Sequence, residues 1–157
     1  MIDSSNKIYP LFKRYTSMMN PAIDSAQLSF YLHATEDEEK VLKALGEMLK
    51  IDRERLERRR LEGHFGNVII SYTARLRGDE AAELWSRVID GMNSLDRDEL
   101  RRSLEERLED NLRLHLRLDK QALVLGKIRL AESDPVKLEF RFARKVADVK
   151  EVLEGLV

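Results

Sequence analysis

Residues 112–118 alternate strictly between leucine and a basic or imidazole side chain, in the order Leu-Arg-Leu-His-Leu-Arg-Leu. Successive side chains of a β-strand point to opposite faces of the sheet, so a period of two is typical of a strand with one buried and one polar face. In a two-layer sandwich the apolar face packs on helices and the other face is open to water. The segment therefore predicts a sheet that is covered on one side only.

Weaker forms of this alternation recur along the chain, and segments with helical periodicity lie between them. Strands are predicted at 26–34, 53–62, 67–77, 112–118 and 136–142, with 53–62 as a charged edge strand. Helices are predicted at 36–50, 79–93 and 96–109 and over 147–156. Thr35 is expected to be the N-cap of the first helix, with Glu38 completing a capping box. This order predicts an α+β fold, a two-layer sandwich in which a mostly antiparallel sheet carries helices on one face; it leaves the strand order open.

The length and composition of the chain indicate its domain organisation and its cellular compartment. The 157 residues are predicted to form an N-terminal extension at 1–25, which Asn20-Pro21 ends, and a single domain at 26–157. The absence of cysteine excludes disulfides and thiolate metal sites and fits a reducing compartment. No apolar run approaches the roughly 20 residues that a membrane-spanning helix needs. We therefore expect a cytoplasmic protein without a membrane partner.

The net charge of −1 conceals an uneven distribution of charge. The predicted helices are net acidic, whereas the predicted strands and their adjoining turns are net basic. If these elements form, an acidic helical layer covers one face of a basic sheet. A cationic open sheet resembles the electrostatic footprint of an RNA-binding platform. The competing interpretation is a solvated sheet face that is charged without any RNA-binding role.

Particular side chains on the open face could contact RNA. Arginine can bind phosphate through two parallel hydrogen bonds, and tyrosine can stack on a base. Lys120 and Gln121 are expected to be exposed at the start of a short helical turn that Asp119 caps. The candidate RNA-binding residues are Tyr31, His33, His64, Arg75, Arg113, Arg117, Lys120 and Arg141. The paired aromatic signature of an RNA-recognition motif is absent from the sequence.

The loop at 63–67, Gly-His-Phe-Gly-Asn, joins the two arms of a predicted hairpin. Its glycines are expected at turn positions with positive φ, and it could present His64 and Phe65 to a ligand. It lacks the Lys-Ser/Thr of a phosphate-binding loop. The spacing of His33, His64 and His115 fits no metal motif, and no nucleophile motif is present. We therefore expect no cofactor, no metal and no enzymatic activity.

Three segments together resemble a known family: His-Ala-Thr-Glu-Asp-Glu-Glu-Lys-Val at 33–41, Glu-Gly-His-Phe-Gly-Asn at 62–67 and Leu-Arg-Leu-Asp-Lys-Gln-Ala at 116–122. In this order and spacing they are similar to the archaeal family of predicted exosome-associated RNA-binding proteins, over roughly residues 26–157. The resemblance implies an archaeal source and a fold like the large-subunit ribosomal protein that binds 5S RNA. Leu123-Val124 stands where relatives tend to have a small residue and an aromatic one.

The resemblance also implies partners. They are RNA, structured or double-stranded, and a protein related to the exosome or the ribosome, which would make the chain an accessory protein of RNA processing. No catalytic residue is implied. The alternative function is a protein-interaction module without RNA contact, which would use the charged helical segment at 96–110. The oligomeric state is left open, and a dimer is one of the possibilities.

Overall fold

The computed structural model describes residues 23–143 and Leu153. The predicted extension therefore lies outside the described residues except for Ile23, Asp24 and Ser25, which belong to the first strand. The predicted C-terminal helix also lies outside them, apart from Leu153, which is helical and buried. The division of the chain into an extension and a domain stays a prediction.

Within the described part of the chain, six strands form one antiparallel sheet in the order β2-β3-β1-β6-β5-β4. The strands are β1 (Ile23–His33), β2 (Glu57–Glu62), β3 (Val68–Arg77), β4 (Leu108–Glu109), β5 (Arg113–Asp119) and β6 (Pro135–Phe142). Strands β1 and β6, the first and the last, lie side by side in the middle of the sheet. The predicted edge position of β2 is confirmed.

Helices pack against one face of the sheet, and the even-numbered residues of β1 from 26 to 32 are buried on that face. They are α1 (Glu38–Leu49), α2 (Gly78–Gly91), α3 (Ser94–Arg102), α4 (Leu104–Arg107) and α5 (Lys120–Val124). The predicted α+β class is thus confirmed, with an open sheet consistent with a two-layer sandwich. None of the described helices combines the length and the apolar character needed to cross a membrane.

The core lies between α2 and the middle of the sheet. Trp85 of α2 is buried and meets the rings of Phe140 and Phe142 edge-on, with ring centroids 5.2 and 6.0 Å apart. Such edge-to-face pairs add about 0.5–1.5 kcal/mol to the burial of the rings. The alternating leucines of β5 are also buried, as their spacing predicted. Their neighbours at 113, 115 and 117 consequently point away from the helices.

Two helix boundaries differ from the predicted ones. Asp37, not Thr35, is the N-cap of α1, and its carboxylate accepts a hydrogen bond from the Lys40 backbone amide at 3.3 Å. The predicted helix at 96–109 is interrupted at Ser103, whose hydroxyl donates to the Glu99 carbonyl oxygen at 2.7 Å. A hydroxyl that bonds back to the preceding turn competes with the helical pattern, which accounts for the break.

Hydrogen bonds among the side chains of Arg58, Tyr72 and Glu38 connect the edge strand β2 and its neighbour β3 to α1. The Tyr72 hydroxyl donates to Glu38 Oε1 at 2.6 Å, and Arg58 Nε donates to the same oxygen at 3.1 Å. The hydrogen bonds from Tyr72 and Arg58 lower the pKa of the Glu38 carboxyl below its ordinary value of 4.5. Burial, together with the nearby Glu38 carboxylate, raises the pKa of Tyr72. The ionised carboxylate of Glu38 therefore stabilises the folded state.

This arrangement predicts an acid-sensitive contribution to stability. A carboxyl whose folded-state pKa is depressed stabilises the fold above its unfolded pKa, and that contribution is lost as the pH falls through the folded-state value. We expect the difference in melting temperature between the wild-type protein and Glu38→Gln to be largest near neutral pH and to shrink below about pH 4. Thermal melts of both proteins at a series of pH values from neutral to below about pH 4 measure this difference. A difference that stays constant with pH would contradict the assignment.

Candidate nucleic-acid interface

One face of the sheet carries no described helix and presents mostly basic and small polar side chains. The register aligns Arg77 of β3, Ser25 of β1, Arg141 of β6 and Arg113 of β5 in one row across four strands. Neighbouring strands are about 4.8 Å apart, so Arg77 and Arg141 stand about 10 Å from each other across the small Ser25. With Arg75, these residues line an open cavity of ≈ 220 Å³.

The four arginines of this cavity, which we call the arginine pocket, differ in their surroundings. Within the described part of the chain, Arg75, Arg77 and Arg141 have no carboxylate within 4.0 Å. Arg113, by contrast, lies 3.7–3.9 Å from carboxylate oxygens. Those oxygens belong to Glu109, Asp110 and Glu139. The uncompensated positive charge of the pocket therefore resides on β3 and β6.

Arg117 lies further along β5 and is paired in register with Lys137 of β6. Both side chains are exposed, and neither has a carboxylate partner among the described residues. Like charges on directly opposed residues are unfavourable unless an anion or solvent lies between them. This pair extends the basic surface beyond the arginine pocket, where the alternation of β5 predicted it.

The other end of the open face is apolar and aromatic. Leu61, Ile69 and His33 are aligned in one row across β2, β3 and β1. Tyr31 stands in the adjacent row, with 47% of its surface exposed. The predicted exposure of Tyr31 and His33 agrees with this placement. The face thus changes from cationic at Ser25 to apolar at His33, over eight residues or about 26 Å of β1.

Histidines occur at both ends of the open face and use different partners. His115 Nε2 lies 2.8 Å from Glu109 Oε2. His33 Nε2 is 3.8 Å from Asp134 Oδ1. In register His115 aligns with Gln27, six residues from His33 and therefore about 20 Å away along the strand direction. The two histidines share the face but cannot share a ligand.

Lys120 is buried, so its predicted exposure is wrong. Only 1% of its side chain is accessible, and its ammonium donates to the Tyr31 carbonyl oxygen at 2.6 Å. It also lies 2.9 Å from Glu36 Oε1 and 3.0 Å from Asp134 Oδ2. A buried ammonium with these partners cannot reach an RNA phosphate. The residue that follows Asp119 points inward because its partners come from β1, the β1–α1 turn and the turn before β6.

The same ammonium explains a cluster that otherwise has the composition of a cation site. Ligand atoms of His33, Glu36 and Asp134 lie within 4.8 Å of one another. Lys120 sits against both carboxylates, and Glu36 Oε2 also accepts from the His33 backbone amide at 2.8 Å. The ammonium of Lys120 therefore already compensates the negative charge of the cluster through internal ion pairs.

The tip of the β2–β3 hairpin presents His64 and Phe65, as predicted. Gly66 has the expected positive φ of 74°, but Gly63 has an ordinary φ of −85°. A Cβ atom there would approach Ile69 Cδ1 to 2.9 Å. Phe65 itself adopts φ 61° and is 99% exposed.

Three basic residues of the open face are absent from the list of candidate RNA-binding residues: Arg59, Arg77 and Lys137. Arg77 lies at the end of the predicted strand at 67–77 and continues the alternation of β3 one step beyond Arg75, but it was not named as a candidate. Arg59 is paired with Ser71 and therefore shares this face. Every residue of β2 is exposed, so its apolar pattern could not indicate which side chains face which way.

A family model described as RNA binding matches residues 25–142. The chain belongs to this RNA-binding family. The match covers all six strands almost to their outer limits, including the whole arginine pocket and the hairpin tip. The predicted relationship to RNA-binding proteins is thereby confirmed at the level of the family.

Two archaeal relatives are similar to most of the chain. An uncharacterised protein of Methanocaldococcus jannaschii is 35% identical over 120 residues, which are 73% of this chain and 80% of that protein. A protein of Pyrococcus abyssi that is named an RNA-binding protein is 32% identical over 139 residues, 80% of this chain and 88% of its own. The predicted archaeal relationship agrees with both.

Solved structures give the same fold. A protein of Archaeoglobus fulgidus from the DUF54 family superposes with a TM-score of 0.69 at 26% identity, covering 85% of this chain and 96% of its own. A DUF54 protein of Methanothermobacter thermautotrophicus gives a TM-score of 0.67 at 28% identity, with coverages of 85% and 95%. The α+β architecture described above is therefore that of known archaeal structures.

Proposed function

We propose that this protein binds RNA through the open face of its sheet and that the arginine pocket holds RNA phosphates. The observation that carries the proposal is the group of Arg75, Arg77 and Arg141, which surround Ser25 without a carboxylate partner among the described residues. Guanidinium groups match the geometry of phosphate oxygens and bind them through paired hydrogen bonds. Membership of the RNA-binding family supports the same ligand.

The uncharged residues of β1 between the arginines support this geometry. Ser25 and Gln27 of β1 lie between the arginines of β3 and those of β6, which leaves a depression that a phosphate could enter. Glu139 is the acidic residue that lines the pocket, and it lies near Arg113 at 3.8 Å. The acidic helices on the opposite side disfavour binding there, so a polyanion should approach the sheet face.

Several finer predictions rest on the sequence resemblance and belong to this proposal. They are an accessory role in RNA processing, association with the exosome or ribosome and a likeness to the 5S-RNA-binding ribosomal protein. A cytoplasmic location is proposed as well, on the separate ground of composition. We propose binding rather than catalysis. The alternative is an interaction module at 96–110. Leu100 and Leu104 of that segment are buried in the protein's own core, whereas charged residues such as Glu99 and Arg102 stay exposed, so it is the family match that favours RNA as the partner.

Reversing two charges of the pocket tests the proposal. We expect Arg75→Glu with Arg141→Glu to weaken RNA binding roughly ten- to a hundred-fold, since each reversal replaces attraction by repulsion at about 1 kcal/mol or more. Filter binding at about 50 mM and about 200 mM salt measures it, and the wild-type affinity should fall steeply between the two because phosphate contacts release counterions. Arg113 is left unchanged, because reversing it would place a fourth carboxylate beside its three acidic neighbours.

A matched control changes the same amount of charge on the helical layer. Lys40→Glu with Lys43→Glu alters two exposed residues of α1, and we expect its affinity to remain within about three-fold of wild type, because the site lies on the other face. Equal losses in the two double variants would indicate a non-specific charge effect and would place the site elsewhere. Failure of the wild-type protein to bind RNA even at low salt would end the proposal.

A further inference from the structure

Phe65 is the most exposed large apolar residue described in the protein. Its surface is 99% accessible, and its ring contacts only that of His64 among the described aromatic residues, at a centroid distance of 5.8 Å and an interplanar angle of 42°. Its backbone lies at φ 61°, ψ 26°, a left-handed conformation that is a genuine outlier for a bulky side chain. The exposed ring and the unusual backbone occur at the same residue.

The loop around Phe65 is a defined structure that fixes this position. The Gly63 amide donates to the Asn67 carbonyl oxygen at 2.6 Å, and the Gly66 amide donates to the Gly63 carbonyl oxygen at 3.3 Å. These bonds close the hairpin and leave the side chain of Phe65 outside it. Strained residues persist where the surrounding structure holds them, and such residues are frequent in ligand-binding segments. An outlying backbone that directs an aromatic ring into solvent therefore indicates a binding role.

The surroundings of Phe65 favour nucleic acid over an apolar protein surface. The adjoining strand β2 contributes three consecutive arginines. Arg58 is engaged with Glu38, and Arg59 lies 2.8 Å from Glu57, but Arg60 has no carboxylate partner among the described residues. Arg60 therefore leaves a positive charge on the strand that leads to the hairpin tip, and a nucleotide offers a flat base for the ring together with a phosphate for such a charge.

We propose that Phe65 stacks on an unpaired nucleobase, so that the protein selects RNA with a single-stranded segment. This inference rests on the proposed function and names the class of RNA. Bases within a duplex are already stacked, and only unpaired bases offer a free face to an aromatic side chain. The hairpin tip lies past the His33 end of the sheet, more than about 26 Å from the arginine pocket. The ring and the pocket consequently contact different nucleotides.

Phe65→Ala provides the test. We expect the variant to bind a single-stranded RNA of roughly 12 nucleotides about 5- to 100-fold more weakly than wild type, since an aromatic–base stack has that effect. Its affinity for a blunt RNA duplex should be unchanged. Placing 2-aminopurine in the single strand supplies a direct readout, because stacking quenches its fluorescence. We expect quenching by the wild-type protein, loss of quenching with Phe65→Ala and recovery with Phe65→Trp.

The control is Leu95→Ala, which removes a side chain of 75% exposure from helix α3 and should change neither affinity nor quenching. If Phe65→Ala binds single-stranded RNA as tightly as wild type does, the stacking proposal is overturned, and a protein partner becomes the ligand to test for Phe65. Equal losses on single-stranded and duplex RNA overturn it as well. Both results are separable from failure of the proposed function, since Arg75→Glu with Arg141→Glu would still weaken RNA binding if only the stacking proposal is wrong.

Discussion

Replacing Lys120 with alanine should lower the free energy of unfolding by about 3 kcal/mol, because removing one partner of a buried ion pair leaves the others uncompensated. Glu36 would lose its closest cation, and the Tyr31 carbonyl oxygen would lose a hydrogen bond of 2.6 Å. Glu36 keeps its bonds to His33 and Gln121, and Asp134 is half exposed, so the loss should fall at the lower end of the range for such pairs. Urea denaturation measures it, with the fluorescence of the single, buried Trp85 as the probe.

Lys127→Ala is the control, since Lys127 is exposed and such substitutions usually change stability by less than about 0.5 kcal/mol. RNA binding separates the structural role of Lys120 from the role predicted by the sequence. Below the melting temperatures of both proteins, Lys120→Met should bind RNA as the wild type does. A Lys120 variant that is as stable as the wild type but no longer binds RNA would show that Lys120 contacts RNA, as the sequence predicted.

Leu116→Ala should destabilise the protein by roughly 2–5 kcal/mol, the range for buried leucines truncated to alanine. Leu116 is 1% exposed, and its β6 partner in register is Leu138, which is equally buried. The truncation would leave a cavity beneath the helices that the rigid sheet cannot close. The denaturation midpoint should fall while the dependence of the free energy on urea stays the same.

The control for Leu116→Ala is the same truncation at a leucine on the surface. Leu125 follows α5 and is 75% exposed, so Leu125→Ala should have an effect within about 0.5 kcal/mol of zero. A loss of less than about half a kcal/mol in Leu116→Ala would mean that the two faces of β5 are assigned the wrong way round. Arg113, His115 and Arg117 would then be the inward-facing residues.

The alternation in the sequence was sufficient to predict which face of the sheet is open. In β5 and β6, and along most of β1 and β3, apolar and polar residues alternate, and a period of two admits only two assignments. The exposure of Tyr31, Arg75, Arg117 and Arg141 follows directly from it. Strand β2 has no such contrast, so its orientation depends on pairing with β3, which is information that lies outside the strand itself.

Long-range contacts account for what could not be predicted. Lys120 has the local setting of an exposed residue just after a capping aspartate, but two of its partners, Glu36 and Tyr31, lie 84 and 89 residues earlier in the chain. The arginine pocket likewise depends on register across β3, β1, β6 and β5, which places Arg77 beside Ser25. At the start of α1, Thr35 and Asp37 are both good N-caps, and local sequence did not distinguish them.

The position of β6 has a consequence for how the protein forms during synthesis. Without Pro135–Phe142, strands β2, β3 and β1 make one half of the sheet and β5 with β4 the other, with no ladder between them. A nascent chain that ends before this segment therefore exposes two unpaired edges, on β1 and β5, with backbone amides and carbonyls ready to join other chains. The arginine pocket takes one of its walls from β6 as well. An incompletely translated chain thus lacks both a continuous sheet and a complete arginine pocket.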